Sequence, residues 1–208
     1  MDSPLWIYCI GLFAQLFFTA RVFLQWYLSE KRHRVVSPPA YWTLSIAGGM
    51  ILFFYGYLRR DFSIIFGEFL SYYIYMWNIH ANGLYKKMPE IVPVLQGLLP
   101  LAVGFIMLKD IPEFIQGFLG SESIGTGLLI FGTVGQFIYK MRFVYQWIYS
   151  VRHKTSVLPL FFWIIAVAGS LIIIIYGIIR HDWVLIIGQF GIVASIRNIM
   201  LALKTEDK

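Results

Sequence analysis

Long apolar runs, separated by short clusters of charge, divide the chain into seven segments. Leu5 to Leu28 is the first, closed by Lys31, Arg32, His33 and Arg34. Pro38 and Pro39 open the second, over about Ala40 to Leu58, since a fixed φ and a missing N–H suit a helix start. Arg59, Arg60 and Asp61 turn the chain, and Phe62 to about Leu84 is the third segment, ahead of Lys86 and Lys87. The fourth, Pro93 to Leu108, is short and interrupted by Pro100 and Gly104. A loop over 109–127 carries the clustered acids Asp110, Glu113 and Glu122. Leu128 to Tyr149, Pro159 to Ile179 and Trp183 to Leu203 complete the set. As helices of ~20 residues each, such segments are long enough to cross a bilayer.

The last three segments repeat the first three. Shifted forward by 121 positions, Gly11 to Phe69 falls without a gap on Gly132 to Phe190. The coincidences include Gln15/Gln136, Arg21/Arg142, Gln25/Gln146, Trp26/Trp147, Pro38/Pro159, Trp42/Trp163, Tyr55/Tyr176, Arg59/Arg180, Asp61/Asp182 and Gly67/Gly188. These are polar, bulky or conformationally special residues, whereas two merely apolar stretches would coincide at Leu, Ile and Val. The repeats therefore occupy 1–88 and 128–208, with 89–127 a linker helix and outer loop. An odd fourth helix restores the sense of the first triplet, so the fold class expected is an all-α integral membrane protein of 3+1+3 parallel repeats. Internal repeats of this kind are the common build of membrane transporters, with the site between the halves.

Composition agrees: 59% hydrophobic residues, 18% aromatic, 13% charged and a mean hydropathy of +0.70 exclude an ordinary soluble domain. The net charge of +6 sits in small clusters at segment ends, which is topology information and not a footprint for nucleic acid. Loops after the first, third and fifth segments and the tail after the seventh carry Lys31/Arg32/Arg34, Lys86/Lys87, Arg152/Lys154 and Lys204/Lys208; in the alternate loops carboxylates accompany the basic residues. That bias places the N terminus outside and the C terminus in the cytoplasm. Cys9 is the sole cysteine and allows no internal disulfide. No cleavable signal peptide is expected, because the first apolar stretch is too long and contains Arg21.

Polar residues inside the apolar segments carry the functional reading. Gln15, Arg21 and Gln25 fall within an arc of about 120° on one helix face, and Gln136, Arg142 and Gln146 repeat it. A guanidinium inside hydrocarbon is costly unless paired, hydrated or snorkelled, and its forked donors suit phosphate. Two such faces would line a cavity for an anionic headgroup. The plainer alternative has the arginines snorkelling to headgroups and the glutamines tying helices together. The third segment adds a polar stripe of Glu68, Ser71, Tyr72, Tyr75, Asn78 and Asn82, and the seventh carries Gln189, Ser195, Arg197 and Asn198. Glu68 stands where Gln189 stands, and is a counter-ion for Arg21, Arg142 or Arg197, or else a proton carrier.

Arg59/Asp61 and Arg180/Asp182 read as turns with a local ion pair and a helix cap. Trp26, Trp147, Trp42 and Trp163 mark segment ends and are expected at the membrane interface, with sugar stacking as the lesser use. The four histidines have no ligand spacing, so no metal is expected, and no cofactor fingerprint or catalytic motif is present.

The run FTARVFLQWYLSEKRHRVVSPPAYWTLSIAGG, with YGYLRRDFSIIFGEF, and its partner YKMRFVYQWIYSVRHKTSVLPLFFWIIAVAG, with YGIIRHDWVLIIGQF, resemble the lipid A biosynthesis N-terminal domain family. The pattern departs at Glu68 and Trp77, where the family has Gln and Arg. The resemblance implies a bacterial inner-membrane protein of envelope glycolipid metabolism, since this domain precedes some lipid-A-disaccharide synthases. It does not imply catalysis, because the synthase portion is absent. It further implies a PQ-loop or SWEET-like topology, although those transporters' hinge prolines are missing from Leu5 to Leu28 and Leu128 to Tyr149. Three readings remain open. The chain translocates an anionic lipid-linked sugar or glycolipid; it presents a polyprenyl-phosphate or lipid A precursor to a glycosyltransferase; or it carries free sugar. Membrane lipids are partners in all three, and the first is preferred.

Overall fold

A computed structural model describes residues 4–59, 62–107, 112, 126–179, 181 and 186–206. Among these, seven α-helices follow one another: α1 Leu5–Arg32, α2 Pro39–Arg59, α3 Phe62–Ala81, α4 Ile91–Met107, α5 Thr126–Arg152, α6 Leu160–Ile179 and α7 Gly191–Glu206. A short 3-10 helix, Leu84–Lys87, separates α3 from α4. By length and apolar composition, three candidate spans can cross a membrane: Leu5–Arg32, Pro39–Leu58 and Leu160–Ile179. The architecture is all-α, as the apolar runs predict. The turn residues Arg60, Asp61, Arg180 and Asp182, and the side chain of Arg59, lie outside the described residues, as does most of the acidic loop.

Repeated sequence makes repeated local structure. Tyr41 N bonds to the Pro38 carbonyl and Phe162 N to that of Pro159, each at 3.0 Å, so the two prolines seed equivalent first turns. The C-terminal end of α1 closes with Arg34 N on the Ser29 carbonyl at 3.2 Å and His33 N on that of Glu30 at 3.1 Å. α5 closes identically, with Thr155 N on Ser150 O and Lys154 N on Val151 O, both at 3.2 Å. These are Schellman endings, and the residue that must turn left-handed is His33 (φ 51) or Lys154 (φ 53) rather than glycine.

Glycine recurs where helices touch. A Cβ on Gly11 would lie 2.9 Å from the Tyr55 ring, and one on Gly132 only 2.6 Å from that of Tyr176. Gly48 in the same way faces Phe17 and Phe18, while Gly169 meets the Tyr139 backbone at 2.8 Å. The recurrence of these glycines and tyrosines therefore records helix–helix packing.

One expectation fails. The seventh segment is not a single helix: Gly188, Gln189 and Phe190 form a turn, and α7 begins only at Gly191. Bonds from Gln189 N to Ile186 O (3.0 Å) and Phe190 N to Ile187 O (3.1 Å) show a tightened, three-residue spacing. The equivalent Gly67–Phe69 lies inside the unbroken α3. Hydropathy is continuous across both, so it does not mark the break.

Packing separates two compact units, residues 1–18 with 42–122 and residues 19–41 with 123–208. The first holds an apolar cluster of Phe53 and Ile65 packed with Tyr57, Phe69 and Val103. There α4 is tied by Tyr73 Oη donating to the Gly97 carbonyl (3.0 Å) and Tyr85 Oη to Gln96 Oε1 (2.7 Å). In the second unit, α6 packs against both α5 and α7.

Candidate functional site

The second unit brings the two repeat-equivalent arginines to one aromatic ring. Arg21 and Arg142 are each only 5% exposed. Arg21 Cζ lies 5.3 Å from the centre of the Phe143 ring, and Arg142 Cζ lies 4.7 Å from the same point. Tyr41 adds a second ring beside Arg21 at 5.2 Å. Arg142 has two more, Tyr139 at 3.7 Å and Phe162 at 5.3 Å. Each desolvated cation–π contact is worth roughly 1–2 kcal/mol, and central burial of an arginine in a membrane costs about 3 kcal/mol. The rings around Arg142 can therefore offset most of its burial. The π faces do not satisfy its N–H groups; the Tyr139 side chain hydrogen-bonds the guanidinium, but Arg142 Nε has no hydrogen-bond partner.

The glutamines next to these arginines are anchored to the frame. Gln25 Nε2 donates to Ser29 Oγ (2.8 Å), Val36 O (3.2 Å) and Asn198 Oδ1 (2.9 Å). Asn198 Nδ2 returns a bond to Gln25 Oε1 (3.0 Å) and bonds the Ala194 carbonyl (2.8 Å). Gln146 repeats the clamp through Ser150 Oγ (2.8 Å) and Val157 O (2.9 Å). Val36 N and Val157 N donate to the two serine hydroxyls, closing each helix-to-loop corner. With their amide donors engaged in this way, Gln25 and Gln146 act as ties between segments, the plainer of the two roles expected.

Other expected residues disperse. Gln15 is half-buried and Gln136 exposed, so neither repeats the burial of Gln25 and Gln146. Arg197 forks onto Glu30, with Nε on Oε1 and Nη2 on Oε2 at 3.0 Å, and Trp26 Nε1 donates to the same carboxylate at 3.0 Å. Glu30 is thus a counter-ion of Arg197. Glu30 is hard to find by sequence, since it sits beside the basic cluster; its spacing of four from Trp26 is the available signal.

Glu68 is 1% exposed in the first unit, with Oε2 lying 3.2 Å from where a Gly49 Cβ would stand. The equivalent residues of the second repeat, Ser170 and Gln189, are hydrogen-bonded at 2.9 Å. Asn78 is fully buried and bonds back to the Ile74 carbonyl (2.9 Å), and Asn82 bonds to the Asn78 carbonyl (2.8 Å). Trp42 and Trp163, expected at the membrane interface, are 0% and 1% exposed and belong to the core. Only Trp147 (39%) and the partly exposed Trp26 keep the surface position. Position at a helix end does not say which side of the helix a residue takes. Among the described residues no cluster of metal-ligating side chains occurs.

The lipid A biosynthesis N-terminal domain matches the chain twice, over residues 10–80 and 131–200. The chain is 27% identical to a lipid-A-disaccharide synthase of Chlamydia felis over 210 residues, covering 95% of this chain and 33% of the relative. It is 29% identical to the synthase of Chlamydia caviae (95% and 33%) and 28% to that of Chlamydia pneumoniae (96% and 34%). The chain thus spans about a third of the length of the curated relatives it matches. No solved structure matches it. The matched segments coincide with the two repeats and contain Arg21, Gln25, Arg142, Gln146 and Asn198, and on that ground the chain belongs to the lipid A biosynthesis N-terminal domain family, of which it carries tandem copies.

Proposed function

We propose that this protein binds an anionic lipid-linked sugar or glycolipid and translocates it across the bacterial inner membrane, with no catalysis of its own. The observation that carries the reading is the convergence of two buried guanidiniums on Phe143, with Arg142 Nε lacking an acceptor. Arg142 Nε asks for an acceptor, and an anion rewards a buried N–H donor more than a neutral group does. The family and the disaccharide synthases it matches relate the chain to lipid A metabolism, the chemistry of a lipid-bearing sugar. The 3+1+3 parallel arrangement, with the N terminus outside and the C terminus cytoplasmic, supplies the two-fold framework that such transport uses.

A second reading has one observation in its favour. The relatives are lipid-A-disaccharide synthases, and the match covers only a third of each. A domain that lies within a synthase is placed to present lipid to it, so this chain would hand an anionic lipid to a glycosyltransferase.

The test is native mass spectrometry of the protein in mild detergent, wild type against Arg21→Gln/Arg142→Gln. A polyprenyl-phosphate sugar or lipid A precursor bound to the wild type and lost from the variant is expected. Bulk phospholipid alone, unchanged by substitution, would overturn the anion site. Reconstituted vesicles then separate the two readings, since only a translocating protein moves the lipid between leaflets.

A further inference from the structure

Tyr139 touches the Arg142 guanidinium in two ways. It lies one turn earlier on α5, and its ring centre is 3.7 Å from Arg142 Cζ, closer than that of Phe143 or Phe162. Its hydroxyl also hydrogen-bonds the same group. A guanidinium has donors and no acceptor, so the tyrosine oxygen accepts and Arg142 donates. The guanidinium is planar and rigid. Held against a ring and at one N–H, it cannot turn without giving up one of the two contacts. Nε is the donor left without a partner, so its direction follows from how Tyr139 holds the rest of the plane.

Tyr139 is itself held. A Cβ on Gly169 would lie 2.8 Å from the Tyr139 Cα, Cβ and N, so α6 seats directly on that stretch of α5 backbone. The root of the Tyr139 side chain is thereby fixed, and only its own torsions remain.

The repeat meets the same requirement with the residues exchanged. Tyr139 and Phe162 stand where Phe18 and Tyr41 stand in the first copy. One position of each pair carries a hydroxyl and the other does not, and the hydroxyl has changed places. Each arginine keeps one tyrosine: Arg142 has Tyr139, and Arg21 has Tyr41 at 5.2 Å. Apolar packing alone would be served by phenylalanine at all of these positions.

We propose that Tyr139 is a positioning residue of the anion site, holding the Arg142 guanidinium so that its Nε–H is presented to the bound anion. This rests on the reading of Arg142 as a donor to an anionic lipid and deepens it by naming what aims that donor.

The experiment uses the whole chain with isotope-labelled arginine in phosphatidylcholine nanodiscs, with the Arg142 Nε–Hε resonance assigned by Arg142→Lys. The probe is phosphatidic acid, titrated into the phosphatidylcholine background. In the wild type the Arg142 resonance is expected to shift as the probe binds. Tyr139→Phe keeps the ring and removes the acceptor, and its preference for phosphatidic acid over phosphatidylcholine should fall roughly tenfold, the worth of one hydrogen bond to a charged group. Tyr139→Leu removes both contacts and should fall further. A merely structural role would lower the melting temperature and leave that preference unmoved. Tyr139→His has a neutral ring nitrogen that can accept from a guanidinium. It should keep more of the preference than Tyr139→Leu, and it carries the comparison if Tyr139→Phe does not fold. Wild-type preference in Tyr139→Phe, or equal loss in Tyr139→His and Tyr139→Leu, overturns the positioning role while the anion site stands. A wild-type Arg142 resonance unmoved by phosphatidic acid overturns the anion site itself.

Discussion

Ser170 donates a hydrogen bond to Gln189 at 2.9 Å, and at the equivalent place in the first repeat a Cβ on Gly49 would lie 3.2 Å from the Glu68 carboxylate. The pair has changed together: where the hydroxyl is gone, its acceptor is a carboxylate. Installing Gly49→Ser and Glu68→Gln together should recreate the second repeat's bond, because a Cβ 3.2 Å from the Glu68 carboxylate asks that neighbour to yield only by tenths of an ångström. The double variant is expected to unfold at a higher temperature than the sum of the single effects implies, by about 1 kcal/mol of coupling. Additive single effects in a detergent melting series would break the equivalence.

Gly169 sits against the Tyr139 backbone, and backbone cannot swing away as a side-chain tip can. Gly169→Ala should cost roughly 1–3 kcal/mol through overpacking. Gly104, inside α4 with nothing within 4 Å of its would-be Cβ, is the control. Gly104→Ala should be neutral or stabilising by up to about 1 kcal/mol through helix propensity. Thermal unfolding of the two variants side by side checks the contrast.

The reciprocal carboxamide pair of Gln25 and Asn198 is fully buried, so removing one partner strands the other. Either Gln25→Leu or Asn198→Leu should destabilise by about 1–3 kcal/mol. Glu30→Gln should do less than either, because the Glu30–Arg197 pair is about a third exposed on both sides and water screens it. A larger effect of Glu30→Gln would make the ion pair the main tie between α1 and α7.

Phe143 is the ring common to both guanidiniums. Phe143→Leu keeps an apolar side chain and removes the π face. Retention of an anionic lipid is expected to fall on the order of tenfold, the worth of one desolvated cation–π contact. Phe162→Leu should fall less, since that ring lies farther from Arg142 Cζ, at 5.3 Å against 4.7 Å for Phe143. Competition between anionic and zwitterionic lipids in native mass spectrometry reads both.

Outside the apolar spans, burial pushes the Tyr85 hydroxyl up to about 12, from an ordinary value near 10. The folded state therefore holds this proton more tightly than the unfolded state does. The Tyr85–Gln96 tie of α4 should be intact below pH ~10 and lost as pH rises through about 12. A tyrosinate absorbance titration, with Tyr85→Phe as the difference, should show a component near 12; a component near 10 would mean that the hydroxyl is open to water.

Among the described residues the first six segments are legible as helices because charge clusters and prolines punctuate an otherwise apolar chain. The repeat is legible too, and Gly132 with Tyr176 shows why: a close approach fixes both residues at once. The site is half legible. Depth alone picks out Arg21 and Arg142, but hydropathy cannot see that both approach the Phe143 ring. Trp42 and Trp163 mislead because a single sequence gives a residue's height along a helix better than its facing. Gln136 is placed by an ideal helical arc that does not say what packs against it. The turn at Gly188–Phe190 is invisible because the equivalent Gly67–Phe69, nearly the same in sequence, stays helical.

The bond between Glu30 and Arg197 has a consequence for the history of the chain. Val151 stands where Glu30 stands, and Trp77, after a one-residue gap, where Arg197 stands. A gene built from two copies of the first half would keep the acid and lose the base, and one built from two copies of the second half would do the reverse. Each half therefore supplies one partner of a bond that neither half, doubled, could make with itself.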